Sequence, residues 1–306
     1  MATFQRPKCL SRILPELVAQ TQGYPGSAEV LVVDNDPAAG AREEASLWAD
    51  RAVRYVHEPS PGIAAARNRA LVEAGNAELL LFIDDDGLPL PGWVDHLVGT
   101  WLQWRCAGVS GPVLARFEGG VPEPWVAESG VFDRTIRPTG SLVGGAGSGN
   151  LLLHLPQLRE LGLDFDEEFG LTGGSDTMLT HAMIARGAQI RWCDEAEVYD
   201  FQSPDRLSRD WVRRRSFRTG NDWSRVALAL APSGFSRMLE QGELVLRGLK
   251  KVVTGGVNQV RGVATSNVRR QATGACEVSS GLGAISGALG GVSVEYGRPT
   301  PLAPGS

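Results

Sequence analysis

Two short apolar runs, each ending in aspartate, are the clearest pattern in the chain. Residues 28–34 (AEVLVVD) and 78–84 (ELLLFID) are almost continuously apolar, as expected for strands buried on both faces of a parallel sheet. Apolar residues recur at helical spacing in residues 7–18 and 62–75. Strands that alternate with helices predict a doubly wound α/β sheet, in which ligands bind beyond the carboxyl ends of the strands. Both terminal aspartates are expected at that edge.

The pattern is less regular further along the chain. Residues 93–104 predict a helix, and residues 107–117 predict a strand pair or one bent strand. Residues 118–150 are rich in glycine and proline, which predicts a loop-rich wall of the site. A helix is predicted to begin near residues 173–177 (GGSDT), and a helix or helix pair is predicted over residues 208–231.

Charge and composition divide the chain into two parts. At 306 residues and 42% hydrophobic content, it can bury a large core. Residues 1–231 carry 22 basic and 31 acidic side chains, whereas residues 232–306 carry 8 and 4. Four excess positive charges are too few to indicate nucleic-acid binding, so we expect no nucleic-acid partner. We predict an α/β domain over residues 1–231 and a helical appendage with a flexible, frayed end over residues 232–306.

An apolar helix face with a basic edge is the main feature of the appendage. Its apolar members are Leu239, Leu246, Leu249 and Val253, and its basic members are Arg247, Lys250 and Lys251. Such a face is typical of a helix that lies in a membrane interface, and equally of a helix that packs on the core domain. Both interpretations stay open on these residues.

The sequence shows no targeting or membrane-spanning segment. Its first residues (MATFQRP) lack the apolar core of a signal peptide, and no uncharged apolar stretch reaches the about 18 residues that a spanning helix needs. The four cysteines have no paired spacing, which fits reduced thiols. We therefore expect a cytoplasmic protein, which would be peripheral at the inner face of the membrane if its appendage contacts lipid.

Three consecutive aspartates, Asp84, Asp85 and Asp86, follow the second apolar run and open a turn at residues 87–93 (GLPLPGW). Adjacent carboxylates repel one another unless they are solvated, partly protonated or neutralised. A hard divalent ion with oxygen ligands neutralises them effectively. A solvated acidic turn is the ordinary interpretation of such a triplet, but the position at the end of a buried strand favours a metal and phosphate site.

Two other charged residues need an explanation. Arg67 lies on the apolar stripe of a predicted helix, so it either binds a ligand, extends over the sheet edge, or pairs with Asp34 or Asp84. Ser175 and Asp176 open a helix, where such residues commonly cap free backbone N–H groups. On local chemistry alone, capping is the favoured role for Asp176.

Five segments occur in the order that one enzyme family shows. They are residues 2–7 (ATFQRP), 32–36 (VVDND), 62–69 (GIAAARNR), 82–86 (FIDDD) and 165–177 (FDEEFGLTGGSDT). Together they resemble the family 2 glycosyltransferases, specifically the bacterial branch that assembles exopolysaccharides and other polysaccharides. The resemblance covers nearly the whole chain and implies the GT-A fold. This is a Rossmann-like, mostly parallel sheet flanked by helices, here with a C-terminal helical appendage.

The resemblance also implies an activity. It implies a metal-dependent inverting glycosyltransferase that moves a sugar from a nucleotide-diphosphate donor, expected to be a UDP-sugar, to a glycan or lipid-linked acceptor. Asp86 would hold Mg²⁺ or Mn²⁺, which acts as a Lewis acid toward the leaving phosphate. Asp176 would be the catalytic base. The donor would be bound by Thr3, Phe4 and Arg6 at the base, Asp34 by a hydrogen bond from the base, Arg67 at the base or diphosphate, Asp84 at the ribose, and Asp85 beside it.

The chain departs from the family pattern at several positions. Ser175 stands where the family usually has glutamate, Met178 stands where an acidic residue is common, and Gly87 replaces an acidic residue after the triplet. The first strand is nearly absent before Thr3. These departures leave open a catalytically degenerate subunit that only binds nucleotide sugars. A nucleotidyltransferase is less favoured, because no glycine-rich phosphate loop follows the first strand.

Overall fold

The computed structural model describes residues 1–293, which form ten strands and ten α-helices. The strands are β1 (Ala2–Thr3), β2 (Val30–Asp34), β3 (Val53–His57), β4 (Leu79–Ile83), β5 (Gly87–Pro89), β6 (Gly108–Ser110), β7 (Val113–Phe117), β8 (Asn150–His154), β9 (Ile190–Trp192) and β10 (Val198–Gln202). The helices are α1 (Pro7–Gly23), α2 (Arg42–Ser46), α3 (Ile63–Glu73), α4 (Trp93–Trp104), α5 (Pro124–Ala127), α6 (Leu155–Glu160), α7 (Ser175–Ala185), α8 (Arg209–Leu230), α9 (Gly234–Ala264) and α10 (Val268–Ala288).

Seven strands form two groups that meet at the acidic triplet. One group pairs in the order β1-β2-β3, and a second pairs in the order β4-β8-β6-β9. A parallel bridge between Ala2 and Asp84 joins β1 to the end of β4. β8 runs antiparallel to both of its neighbours, and the other six strands share one direction. The mostly parallel sheet predicted from the two apolar runs is confirmed.

Helices cover both faces of this sheet, which explains the continuous apolar runs. On β2, Val32 packs into the core formed with α1 and α4. The next residue, Val33, packs into the core on the opposite face, with α3, α6 and α7. Successive side chains of a strand point to opposite faces, so a strand covered on both faces needs an apolar residue at every position. α1 remains a single helix through Pro15.

A second, smaller sheet has the order β5-β10-β7. β10 is antiparallel to β5, with Asp200 opposite Gly87, and parallel to β7. The turn predicted at residues 87–93 is therefore wrong in its first part, because residues 87–89 are drawn into strand pairing with β10. This pairing brings a distant strand directly beside the triplet.

The C-terminal helices stack in layers on α8. α8 is one helix of 22 residues, α10 packs against it, and α9 packs against the other side of α10. Among the helices of residues 1–293, none combines the length and hydropathy needed to cross a bilayer. The domain division at residue 231 stays a prediction, and the end that was predicted to be frayed falls outside the described residues.

Candidate active site

The three aspartates of the triplet lie in three different environments. Asp85 is buried, Asp86 is partly buried among arginines, and the side chain of Asp84 is 52% exposed, into a cleft. Asp85 and Asp86 lie in a turn after β4, closed by a hydrogen bond of 3.0 Å from the Gly87 N–H to the Asp84 carbonyl, so the three side chains leave the backbone in different directions. One end of β4 therefore supplies carboxylates both to the cleft and to the base of β1.

Asp85 holds the short first strand in place. Thr3 Oγ1 donates to Asp85 Oδ2 at 2.7 Å, and Arg6 Nη1 donates to Asp85 Oδ1 at 3.2 Å. Burial raises the pKa of the Asp85 carboxyl, and the hydrogen bond from Thr3 and the charge of Arg6 oppose that rise. The two-residue β1 is thus fixed by side chains as well as by strand pairing, and it keeps Arg6 and the partly exposed Phe4 next to the triplet.

Asp86 lies between two arginines and close to a further carboxylate. Its Oδ2 is 2.9 Å from Arg6 Nη1 and 3.4 Å from Arg206 Nη2. The backbone N–H of Phe201 donates to the carbonyl of Asp86 at 3.3 Å, which brings β10 and its Asp200 alongside. Burial, with a further contribution from Asp86, raises the pKa of Asp200.

Asp86 and Asp200 are the two carboxylates that could take part in holding a divalent ion. Asp200 Oδ1 is buried and has no hydrogen-bond partner within residues 1–293, whereas Oδ2 accepts from Gln202 Nε2 at 2.5 Å. In the same part of the chain, no group of three or more histidine, cysteine or acidic side chains is arranged to hold a metal alone. Asp86 and Asp200 would therefore hold Mg²⁺ or Mn²⁺ together with phosphate oxygens and water, as is common for Mg²⁺.

A cleft of about 260 Å³ opens beside the triplet. Its lining includes Ile63, Arg67, Asp84, Gly173, Gly174, Asp176, Thr177, Arg215, Arg218, Thr219, Asp222 and Trp223. These residues come from α3, the end of β4, the start of α7, and α8. The cleft thus unites the predicted catalytic base, the predicted ribose ligand and the basic segment of α8.

Arg67 connects the two sides of the cleft. It is buried, its Nη2 lies 3.8 Å from Asp84 Oδ1, and its Nη1 donates to Ser175 Oγ at 3.0 Å. Its guanidinium also lies 5.6 Å from the ring centroid of Phe165. Of the partners expected from the sequence, Asp84 is observed and Asp34 is not. Ser175 orients this arginine and does not cap α7.

The cleft disfavours the ionised form of Asp84. Burial at the floor of the cleft raises the pKa of Asp84 to about 6, Arg67 opposes the rise, and the neighbouring carboxylates of Asp86, Asp85 and Asp176 add to it. The carboxylate is reached by solvent, but the surrounding protein and like charges disfavour its ionised form. A cation bound beside Asp84 would therefore stabilise its ionised form.

Asp176 is oriented by the glycine-rich segment that precedes β8. Asp176 Oδ2 accepts from the backbone N–H of Ser148 at 3.1 Å and from Ser148 Oγ at 3.4 Å. Asp176 Oδ1 accepts from the N–H of Thr177 at 2.8 Å, so it satisfies one free amide of the first helical turn. Gly174 occupies the N-cap position without a side-chain cap. One oxygen of Asp176 serves the helix, as local chemistry predicts, and the other faces the glycine-rich segment.

The glycine-rich segment, residues 144–149, passes against both acidic groups of the cleft. A Cβ at Gly149 would lie 3.0 Å from Asp84 Oδ2, and a Cβ at Gly147 would lie 3.5 Å from Asp176 Oδ2. A second cavity of about 220 Å³ is lined by the same segment and by Ser110, Thr135, Arg137 and Trp192. The predicted loop-rich wall thus separates two adjoining cavities.

Asp34 is placed differently from the other predicted donor ligands. It is fully buried, and its oxygens accept from the backbone N–H groups of Asp36 at 3.0 Å and Ala41 at 2.9 Å, and from the Tyr55 hydroxyl at 2.9 Å. These bonds hold the loop after β2. Base recognition by Asp34 stays a prediction, and it would require sharing or replacing one of these bonds.

Three residues of the site are not among those predicted from the sequence. Asp200 and Arg206 flank Asp86, and Ser148 orients Asp176. Asp200 carries a usable signal, because an acidic residue stands within the strand-like run 198–202 (VYDFQ). Ser148 and Arg206 carry no local signal, because their roles arise from contacts between distant segments.

Comparison with known proteins identifies the family. The sequence profile described as "Glycosyl transferase family 2" matches residues 1–155, about half of the chain. The succinoglycan biosynthesis protein ExoM of Rhizobium meliloti (strain 1021) is 31% identical over 254 residues, which cover 77% of this chain and 81% of ExoM. A pre-mycofactocin glycosyltransferase of Mycobacterium tuberculosis (strain CDC 1551 / Oshkosh) is 28% identical over 68% of this chain, which spans only 43% of that relative.

A solved structure supports the fold. The mannosyltransferase PcManGT from Pyrobaculum calidifontis, solved in complex with GDP-Man and Mn²⁺, superposes with a TM-score of 0.58 at 18% identity. The match covers 94% of this chain and 85% of PcManGT. The predicted GT-A fold is confirmed, and the chain is a glycosyltransferase that belongs to glycosyltransferase family 2.

Proposed function

We propose that the protein is a metal-dependent inverting glycosyltransferase of polysaccharide biosynthesis. It would move a sugar from a nucleotide-diphosphate donor, expected to be a UDP-sugar, to a glycan or lipid-linked acceptor. The observation that carries the proposal is the convergence of Arg67, Asp84 and Asp176 in one cleft beside Asp86. The name of ExoM, a succinoglycan biosynthesis protein, supports the polysaccharide context.

The cations around the triplet suit a diphosphate. Arg6 and Arg206 contact Asp86, and Arg67 contacts Asp84. When Asp86 and Asp200 hold Mg²⁺ or Mn²⁺, the ion supplies Lewis-acid stabilisation of the charge that develops on the leaving diphosphate. Arg6 and Arg206 would then exchange part of their pairing with Asp86 for phosphate oxygens, which arginine binds with two parallel hydrogen bonds.

Asp176 would be the general base, because it lines the cleft at the point where the glycine-rich segment passes. The acceptor hydroxyl would give its proton to Asp176 while its oxygen forms a bond to the anomeric carbon. The bond from that carbon to the β-phosphate oxygen would break on the opposite side, and its electrons would leave with the nucleoside diphosphate. The hydrogen bonds from Ser148 hold Asp176 Oδ2 against the glycine-rich segment, and other residues of that segment line the second cavity.

The second cavity is the proposed acceptor site. Its hydroxyl, guanidinium and indole groups come from Ser110, Thr135, Arg137 and Trp192, which are suited to hydrogen bonding and stacking with a sugar.

We further propose that the enzyme works in the cytoplasm, in peripheral contact with the inner face of the membrane through its C-terminal region. Lipid-linked acceptors are presented there.

Calorimetric titration tests the donor site directly. UDP, GDP and thymidine diphosphate are titrated with Mn²⁺ and with chelator into wild type and Asp86→Ala. Metal-dependent binding of one nucleotide, lost in Asp86→Ala, is expected, and it would identify the base. Asp50→Ala is the matched control, because this exposed aspartate precedes β3 at the opposite edge of the sheet. If none of the three nucleotides bound to wild type, the proposal would be contradicted.

Substitution of Asp176 tests catalysis separately from binding. Asp176→Asn keeps the size of the side chain but removes the proton acceptor, and general-base catalysis typically contributes about 10²- to 10⁴-fold. We expect turnover to fall by about that factor while nucleotide affinity stays within about twofold. Turnover equal to wild type would remove Asp176 from the mechanism. Donor binding without transfer or hydrolysis in wild type would favour the degenerate subunit.

A further inference from the structure

The face of α9 that points away from α10 is apolar and exposed. Nine large apolar side chains of this helix have exposed fractions between 45% and 69%, among them Leu239, Leu246, Leu249, Val253 and Val260. Their spacing of three, four or seven residues places them on one side of the helix. A 31-residue helix is roughly 45 Å long. Continuous exposed apolar surface of this kind marks interaction sites in soluble proteins.

On the opposite side of α9, the buried residues are Leu244 and three glycines. Gly248, Gly255 and Gly262 are buried there. A Cβ at Gly255 would lie 2.7 Å from the carbonyl oxygen of Gly274 in α10, so the two backbones are in close contact. A helix that packs on a soluble core normally turns its large apolar residues inward. From Gly248 onward α9 does the reverse, and small residues between helices with large residues outside are typical of helices that face lipid.

The charges of α9 favour an anionic surface. The helix carries five basic and two acidic side chains. Lys250 lies four residues after Leu246 and three before Val253, which places it at the border of the stripe, and Arg261 lies four residues after Val257 on the same border. Long basic side chains at the edge of an apolar face can reach lipid head groups while the face enters the interface.

A second copy of the chain fits this face less well than lipid does. The positions Leu239, Gly242, Leu246, Leu249, Val253, Gly256 and Val260 follow the alternating three- and four-residue spacing of a coiled-coil seam. Two of these seven positions are glycine, which provides no side chain to fill the opposing holes. Pairing two copies would also bring together two helices with the same excess of positive charge.

We propose that the exposed face of α9 docks the protein on an anionic lipid surface, with the apolar stripe in the head-group region and Lys250 and Arg261 at lipid phosphates. α10 lies between α9 and α8, and α8 lines the cleft, so this docking would fix the orientation of the cleft relative to the membrane. The inference deepens the peripheral membrane contact of the proposed function by assigning it to one surface, and the link to a lipid-linked acceptor rests on the proposed function.

Vesicle sedimentation of the full chain tests the proposal. Wild type is mixed with phosphatidylcholine vesicles and with vesicles that also contain about one third phosphatidylglycerol, a content at which basic residues add measurably to binding. We expect pelleting with the anionic vesicles. Leu246→Ser combined with Val253→Ser should lower the partition coefficient roughly tenfold, since two exposed side chains no longer enter the interface. Val72→Ser is the matched control, because Val72 is equally exposed but lies on α3.

Further variants separate charge from apolar contact and lipid binding from donor binding. Lys250→Glu combined with Arg261→Glu should reduce binding to anionic vesicles severalfold, as should added salt. Asp86→Ala should keep vesicle binding although it loses the nucleotide. The proposal would be overturned if wild type did not pellet with anionic vesicles, or if the Leu246→Ser, Val253→Ser variant pelleted with them as much as wild type does. Light scattering that shows a dimer in wild type and a monomer in the serine variant, without vesicle binding, would assign the face to a second copy.

Discussion

Arg67 reaches from α3 to the first residue of α7, where its Nη1 donates a hydrogen bond of 3.0 Å to Ser175 Oγ. Both residues are buried. The resemblance to the family suggests that Ser175 is a weakened position, because an acidic residue is usual there. The contact gives the serine a defined role, since it accepts from a buried guanidinium that also pairs with Asp84.

Ser175→Ala should therefore affect both stability and donor binding. A buried charged donor that loses its acceptor costs about 1–3 kcal/mol, and a less constrained Arg67 should lower nucleotide affinity severalfold. Denaturant unfolding and calorimetry measure the two effects. Ser141→Ala is the control, because the hydroxyl of this partly buried serine donates to the carbonyl of Pro138, far from the cleft residues, and we expect a change within about 0.5 kcal/mol. Equal behaviour of the two variants would show that the contact has no role.

Gly149 should be required for its small size. A Cβ at this position would lie 3.0 Å from Asp84 Oδ2, so alanine would displace the carboxylate from Arg67 and from the ligand. We expect Gly149→Ala to weaken metal-dependent nucleotide binding by roughly tenfold, which corresponds to about 1.4 kcal/mol. Gly144→Ala provides a matched control within the same segment, because nothing lies within 4 Å of its Cβ. Comparable losses in both variants would point to loop flexibility and away from the contact with Asp84.

Replacing Asp200 by asparagine should raise stability but lower metal affinity. Burial raises the pKa of this carboxyl, and one of its oxygens has no hydrogen-bond partner within residues 1–293. Asp200→Asn removes the cost of a buried charge, so the melting temperature in chelator should rise. The affinity for Mn²⁺ in the presence of nucleotide should fall by about tenfold or more. Asp50→Asn should change neither quantity, and an Asp200 variant that binds Mn²⁺ as wild type does would remove this residue from the metal site.

Local pattern was sufficient to predict the sheet but not all of the site. β2 and β4 are predictable because each is covered on both faces and therefore needs an apolar residue at nearly every position. The triplet at the end of β4 is visible for the same reason. β5 was missed, because prolines at 89 and 91 suggest a turn and its partner β10 lies more than 100 residues away.

The same limit applies to individual residues. The sequence places Asp34 at the correct edge of the sheet, but only the folded chain shows that Tyr55 and the amide of Ala41 use its oxygens. Asp200 approaches Asp86 through the pairing of β5 with β10, and Ser148 reaches Asp176 from a loop. Contacts between distant segments leave no periodic signal in the sequence, so these partners become visible only in the structure.

Asp84 should make the stability of the metal-free protein depend on pH. Burial raises its pKa from 3.8 to about 6 in the folded chain. Between these values the folded state binds more protons than the unfolded state, so stability should fall as pH rises through this window. Above it, both states are ionised and the loss stays constant. Because the side chain is half exposed, we expect a modest effect.

Melting temperatures from pH 4 to pH 7 in chelator, for wild type and Asp84→Asn, measure this dependence. The asparagine variant should gain on wild type as pH rises from about 4 to about 6, because it carries no titrating group at this position. Saturating Mn²⁺ with nucleotide should shrink or reverse that gain, since the bound cation offsets the charge of the ionised carboxylates. Parallel pH profiles in chelator would mean that Asp84 ionises as an ordinary surface carboxylate. A bound cation would then not be needed to stabilise its ionised form.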